Sequence, residues 1–239
     1  MKAVIMNRFA SFINGIEERL AQPRAKRRPS RNLHNVLHER AVVSSADFVE
    51  KYLSTALVFR TKPEMWGFAA DKVSEKFSDG VCLEFGVAGG KSINWMSKKL
   101  PAFEFFGFDS FVGLAEDWVG HHAKKGAYSQ GGVTPKVNKN VRLVKGWFDE
   151  TIPKFIQEIE LERIRFIHID SDTYPAAQLI FQHMGKHLTP GMFVLFDELI
   201  GYPGWDNGEL KALNEAEKEC GFQYRFLGFT TEQALIEIV

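Results

Sequence analysis

Residues 81–92 read Val-Cys-Leu-Glu-Phe-Gly-Val-Ala-Gly-Gly-Lys-Ser, and no other stretch restricts the fold so sharply. Val81-Cys82-Leu83 is apolar, as in a parallel strand covered on both faces. Glu84 then turns the segment acidic, and Gly86, Gly89 and Gly90 follow. From Ser92 onward, Ile93, Trp95, Met96 and Leu100 recur at helical spacing. Strand, tight turn and helix in this order open a nucleotide-binding α/β domain. The glycines let backbone approach a ligand closely, and the helix start presents unpaired N–H groups to it. An acid at the strand tip argues against a phosphate at that point and for a cationic or hydroxylated group.

Gly86-Val87-Ala88-Gly89-Gly90 does not supply the G-x-G-x-x-G of a dinucleotide site. Gly90-Lys91-Ser92 copies the end of a P-loop, but the required earlier glycine falls on Phe85. Glu84-Phe85-Gly86-Val87-Ala88-Gly89 does resemble, residue for residue, the acidic-x-Gly-x-x-Gly turn of class I S-adenosylmethionine methyltransferases. A strand–helix turn without a ligand is the plain alternative.

At 239 residues the chain suits one well-buried α/β domain plus an N-terminal extension. Thirty basic and thirty acidic residues cancel, so no global charge points to nucleic acid. Two cysteines, Cys82 and Cys220, do not make a disulfide framework and fit a reducing, cytoplasmic setting. No apolar run reaches membrane-spanning length. Residues 1–20 pattern as an amphipathic helix, and the basic run from Pro23 to Arg31 as a solvated linker. The expected division is a helical extension over 1–60, a candidate arm for homo-oligomerisation, and a catalytic domain over 61–239.

A helix is expected from about Ser45 to Leu57. Another follows Thr61, where Thr61 and Glu64 have capping-box spacing and Pro63 suits the first turn. Phe103–Phe108 reads as a strand ending at Asp109, 23 residues beyond Gly86. That is where a nucleotide-binding domain places the acid that accepts ribose hydroxyls. Residues 110–140 form a long, glycine-rich connection of the kind that often serves as a lid. It carries His121 and His122, read as solvated loop histidines. Val141–Val144 is a third strand, followed by Gly146-Trp147 and a helix opening at Pro153. Trp147 is placed either to stack on adenine or to join the core.

Arg165–Ile169 and Met192–Phe196 are further strands, ending in Asp170-Ser171-Asp172 and Asp197-Glu198. Ligands bind beyond the carboxyl ends of such strands. Converging acids are costly there unless a positive charge compensates, and a hard divalent cation, Mg²⁺ for preference, does so. Separate acids capping helices are the alternative. A helix over Asn207–Cys220 and a hairpin of Tyr224–Phe229 with Ala234–Val239 close the chain.

Seven strands, a terminal antiparallel hairpin and these strand-tip acids resemble the Rossmann-like class I methyltransferase fold. More narrowly, Leu83–Val87, Gly107–Leu114, Lys145–Pro153, His168–Tyr174, Asp197-Glu198 and Gly201–Gly204 resemble the macrocin O-methyltransferase (TylF-like) family over about residues 80–239. The resemblance implies S-adenosylmethionine held by Glu84, Gly86 and Asp109, with Gly146 and Trp147 near the adenine. Gly89, Ser92, Ser110 and Asp170 complete the candidate cofactor contacts. It also implies a metal held by Asp170 with Asp197 and Glu198; the family commonly carries aspartate where this chain has Glu198. Asp170 and Asp172 are the candidate metal ligand and proton acceptor, in either order. The reaction so implied is methyl transfer to a hydroxyl of a sugar or other metabolite. A glycosyltransferase using Asp170-Ser171-Asp172 as a metal-binding D-x-D, or a non-catalytic protein of the same fold, are the alternatives.

Overall fold

The computed structural model describes residues 32–239. The helix expected over 1–20 and the basic run over 23–31 lie outside these residues. The chain divides into a unit ending at Leu37 and a compact unit His38–Val239, whereas the sequence reading places a boundary near residue 60. The sheet and the cavity described below belong to the second unit.

Among the described residues eight strands form one sheet, where seven were expected: β1 (Leu57–Val58), β2 (Gly80–Phe85), β3 (Phe103–Asp109), β4 (Val141–Lys145), β5 (Ile164–Ile169), β6 (Phe193–Phe196), β7 (Tyr224–Phe229) and β8 (Ala234–Ile238). Their order is β1-β7-β8-β6-β5-β2-β3-β4. Only β8 runs antiparallel to its neighbours, β6 and β7, so the C-terminal hairpin forms as expected. β1 is the additional edge strand, with Leu57 and Val58 opposite Gly228 and Phe229. This corrects the helix expected to reach Leu57. That helix, α1 (Leu33–Val49), ends earlier and passes through a 3-10 turn at Glu50–Tyr52. Phe48 and Tyr52 already satisfy the apolar spacing by packing on Phe226 and Phe229. The chain beyond them instead pairs with the open backbone edge of β7.

Five further helices cover the sheet: α2 (Lys62–Lys76), α3 (Lys91–Lys99), α4 (Phe148–Glu158), α5 (Tyr174–Met184) and α6 (Glu209–Cys220). Side-chain alternation along β2 sends Val81, Leu83 and Phe85 into the core with α4, α5 and α6, and Cys82 into the core with α2 and α3. All six residues of β2 are buried, which explains its apolar run. Thr61 caps α2 by accepting the Glu64 N–H at 3.3 Å, as its spacing predicts. One helix bound differs from expectation: α4 begins at Phe148 with Pro153 inside it. α5 ends at Met184 and runs into a 3-10 turn. No described helix is long and apolar enough to cross a membrane.

Strand order reverses between β2 and β5, which creates the crevice where such sheets bind ligands. The hydrogen-bond ladder continues just past the strand ends. Gly146 N–H reaches Asp109 O at 3.0 Å, Gly86 N–H reaches Phe108 O at 2.9 Å, Asp170 N–H reaches Phe85 O at 2.8 Å, and Asp197 N–H reaches Ile169 O at 2.9 Å. Loops from five neighbouring strands therefore start level with one another. Residues 110–140 contain no helix or strand. Phe111, Trp118 and Ala123 are nevertheless buried, and Asn94 ties the segment down through Lys136 O and the Asn138 N–H.

Candidate active site

A cavity of about 600 Å³ opens at these strand ends. Gly86, Ala88, Asp109, Ser110, Gly146 and Trp147 form one wall. Asp109 shapes it: one carboxylate oxygen accepts the Val87 and Ala88 N–H groups at 2.9 and 2.7 Å, and the other accepts Phe111 N–H at 2.6 Å. A carboxylate has about four lone-pair sites, so acceptor capacity remains on it. Gly86 has φ +92°, and a Cβ there would lie 1.7 Å from the Asp170 carbonyl oxygen. The backbone is that close only because residue 86 has no side chain.

Glu84, Gly89 and Ser92 do not line the cavity. Glu84 lies on the Cys82 face of β2, beneath the turn. Its oxygens meet the Ser92 hydroxyl at 2.8 Å and His168 Nδ1 at 3.0 Å. Glu84 and His168 are register partners on adjacent strands. The imidazole continues toward Asp197, with Nε2 at 3.4 Å from Oδ1. Burial opposes a charge on His168, but the neighbouring Asp197 and Glu84 carboxylates raise its pKa well above the usual histidine value.

Asp170, Asp172 and Glu198 line the opposite part of the cavity. One oxygen from each lies within 4.8 Å of the others. Burial and repulsion from Asp197 raise the pKa values of Asp170 and Glu198 well above the carboxylate range and push Asp172 up to about 7. Asp172 has φ +61°, a left-handed conformation that aspartate tolerates better than most residues.

Asp197, expected among the metal ligands, has both oxygens engaged: Oδ2 by Lys62 at 2.5 Å, and Oδ1 by the Gln233 amide. Burial alone would raise its pKa, but His168 and Lys62 hold it well below normal. Lys62 also meets Glu198 at 3.1 Å and Glu232 at 3.6 Å. Lys62, His168, Gln233 and a fully buried Glu209 were not anticipated. Glu209 receives the Ser171 and Glu198 N–H groups at 3.5 and 3.4 Å. Its pKa is pushed up to about 8 by burial and by Asp197 and Asp172.

Lys62 and His168 only partly compensate Glu84, Asp170, Asp172, Asp197, Glu198 and Glu209. Among the described residues, Glu198 Oε2 is buried without a hydrogen-bond partner. Three facing carboxylates, one with an orphaned oxygen, suit a hard divalent cation.

Residues 83–199 match a family described as a methyltransferase domain. No curated protein matches the sequence. Among solved structures, the chain is similar to CalS11, a calicheamicin methyltransferase, at 23% identity and a TM-score of 0.58 over 74% of this chain and 80% of that one. An apo structure of CalS11, described as a TDP-rhamnose 3'-O-methyltransferase, aligns at 23% identity and 0.52, covering 73% and 78%. The O-methyltransferase NovP aligns at 15% identity and 0.57, covering 74% and 78%. At these identities the likeness establishes a shared methyltransferase fold.

Proposed function

We propose that this chain is an S-adenosylmethionine-dependent O-methyltransferase acting on a small hydroxylated molecule, sugar-like or natural-product-like, with Mg²⁺ at the acid rim. The narrower relation to macrocin-type enzymes rests on the segments quoted above. The observation that carries the reading is one continuous cavity joining the Gly86–Asp109–Gly146–Trp147 wall to Asp170, Asp172 and Glu198.

The cofactor, when bound, supplies the electrophilic methyl group. Asp109 accepts the ribose hydroxyls, Gly86 admits the nucleoside against bare backbone, and Trp147, 39% exposed, offers a face for the adenine. Asp170, Asp172 and Glu198 would hold the metal, which supplies Lewis acidity that lowers the proton affinity of the acceptor hydroxyl. Asp172 is the candidate proton acceptor. Lys62 anchors Asp197 and one oxygen of Glu198, leaving the other Glu198 oxygen toward the rim. The buried chain Ser92–Glu84–His168–Asp197 fixes the cofactor turn relative to that rim. Residues 110–140 close over the mouth and exclude water.

The test is transfer of labelled methyl from S-adenosylmethionine to a panel of sugars and phenols. Product and S-adenosylhomocysteine should form together, and a chelator should reduce the rate at least about a hundredfold, with Mg²⁺ restoring it. Full turnover in chelator would remove the metal from this account.

A further inference from the structure

We infer that the acceptor side of the cavity takes a polyhydroxylated molecule carrying a protonated amine and turns away phosphorylated sugars. This rests on the methyltransferase reading and adds the charge class of its substrate.

No lysine or arginine lines the cavity among the described residues, whereas Glu116, Asp149, Asp170, Asp172, Glu198 and Glu232 do. Asp149 belongs with the nucleoside wall, beside Trp147. Asp170, Asp172 and Glu198 form the cation donor set. Glu116 and Glu232 have neither role, and both stand on the acceptor side. The Glu116 carboxylate accepts the Thr173 hydroxyl at 3.3 Å, which places it beside the Asp170–Asp172 turn. Glu232 comes from the β7–β8 turn and has a side chain 42% exposed. Lys62, the nearby ammonium, is shared among Asp197, Glu198 and Glu232 and does not itself line the cavity.

Rings supply the rest of this side. Trp118, His121, Tyr128 and Tyr202 line it, and Trp118 meets Tyr202 edge-on with centroids 5.3 Å apart. Aromatic faces pack on the apolar faces of sugar rings and attract alkylammonium groups. Tyr202 is only 3% exposed, with its hydroxyl packed against Gly208, where a Cβ would lie 1.9 Å from it. A cavity lined on this side by carboxylates and rings suits an amino sugar or aminocyclitol. Among the described residues, a diphosphate would meet no lining guanidinium or ammonium, and Glu116 and Glu232, which lie outside the cation donor set, would oppose it.

The experiment uses the full chain saturated with S-adenosylhomocysteine and Mg²⁺. Ligand-observed NMR then compares glucosamine, methyl glucoside, glucose 1-phosphate and thymidine diphosphate. Glucosamine should bind at least about tenfold more tightly than either phosphate, and more tightly than the neutral glucoside. In the Glu116→Gln/Glu232→Gln double variant, with folding checked by circular dichroism, the advantage should shrink to about twofold. Equal affinities, no binding of any of the four, or tighter binding of either phosphate overturns the inference. S-adenosylhomocysteine binding is measured first on the same sample. Its failure counts against the methyltransferase reading, whereas its success with a phosphate preference counts only against the amine.

Discussion

Gly86→Ala should destabilise the protein by about 3 kcal/mol, lowering Tm by about 10 °C, and remove measurable S-adenosylhomocysteine binding. Residue 86 has φ +92°, and the added Cβ would sit 1.7 Å from the Asp170 carbonyl oxygen. No rotamer relieves a clash between a Cβ and backbone. The ends of β2 and β5 would have to separate, breaking the Asp170 N–H bond to Phe85 O at 2.8 Å. The same shift displaces Asp170, so metal affinity should fall with cofactor affinity. Differential scanning fluorimetry and calorimetry check both effects. A variant with wild-type Tm and affinity would show that the two backbones do not meet at this point.

Asp172→Asn should lower the methyl-transfer rate by about 10²–10⁴-fold while leaving S-adenosylhomocysteine affinity within about threefold. Asparagine has nearly the same shape and tolerates the left-handed conformation at least as well as aspartate. Loss of turnover would then reflect the missing charge and proton acceptor. Asp172 belongs to the acid rim and not to the nucleoside wall, which is why rate and cofactor affinity should separate. Single-turnover rates paired with calorimetric titrations read the two quantities on one sample. Parallel loss of both would place Asp172 in cofactor binding instead.

The fold was legible where burial leaves a period. β2 is covered on both faces and reads as an apolar run interrupted only by Glu84. Asp109, Asp170, Asp172 and Glu198 stand at strand ends, where topology alone directs them toward the crevice. Glu84 and Ser92 show the limit of that reasoning. Both belong to the motif, yet alternation along β2 turns Glu84 under the loop, where Ser92 and His168 meet it. Asp197 has partners that no local pattern shows: Lys62, 135 residues earlier, and Gln233, 36 residues later, meet its oxygens. No local pattern marks Lys62 as more than a first-turn lysine, or Glu209 as more than a first-turn acid. His168 carried a weak signal, a histidine inside an apolar strand, but its partners are set by register across β5, β2 and β6. β1 was hidden because two exposed residues at a sheet edge have no periodicity. In residues 110–140 isolated anchors such as Phe111 and Trp118 replace any repeat.

The most direct measurement is calorimetric titration of S-adenosylhomocysteine into the wild-type chain and into Asp109→Ala, with Mg²⁺ present. The wild type should show one saturable site with Kd on the order of 10 µM, and Asp109→Ala should weaken it at least about tenfold. A folded wild-type protein that binds no adenosyl ligand, or an Asp109→Ala variant that binds as tightly as wild type, would contradict the assignment of this rim to a nucleoside-bearing methyl donor.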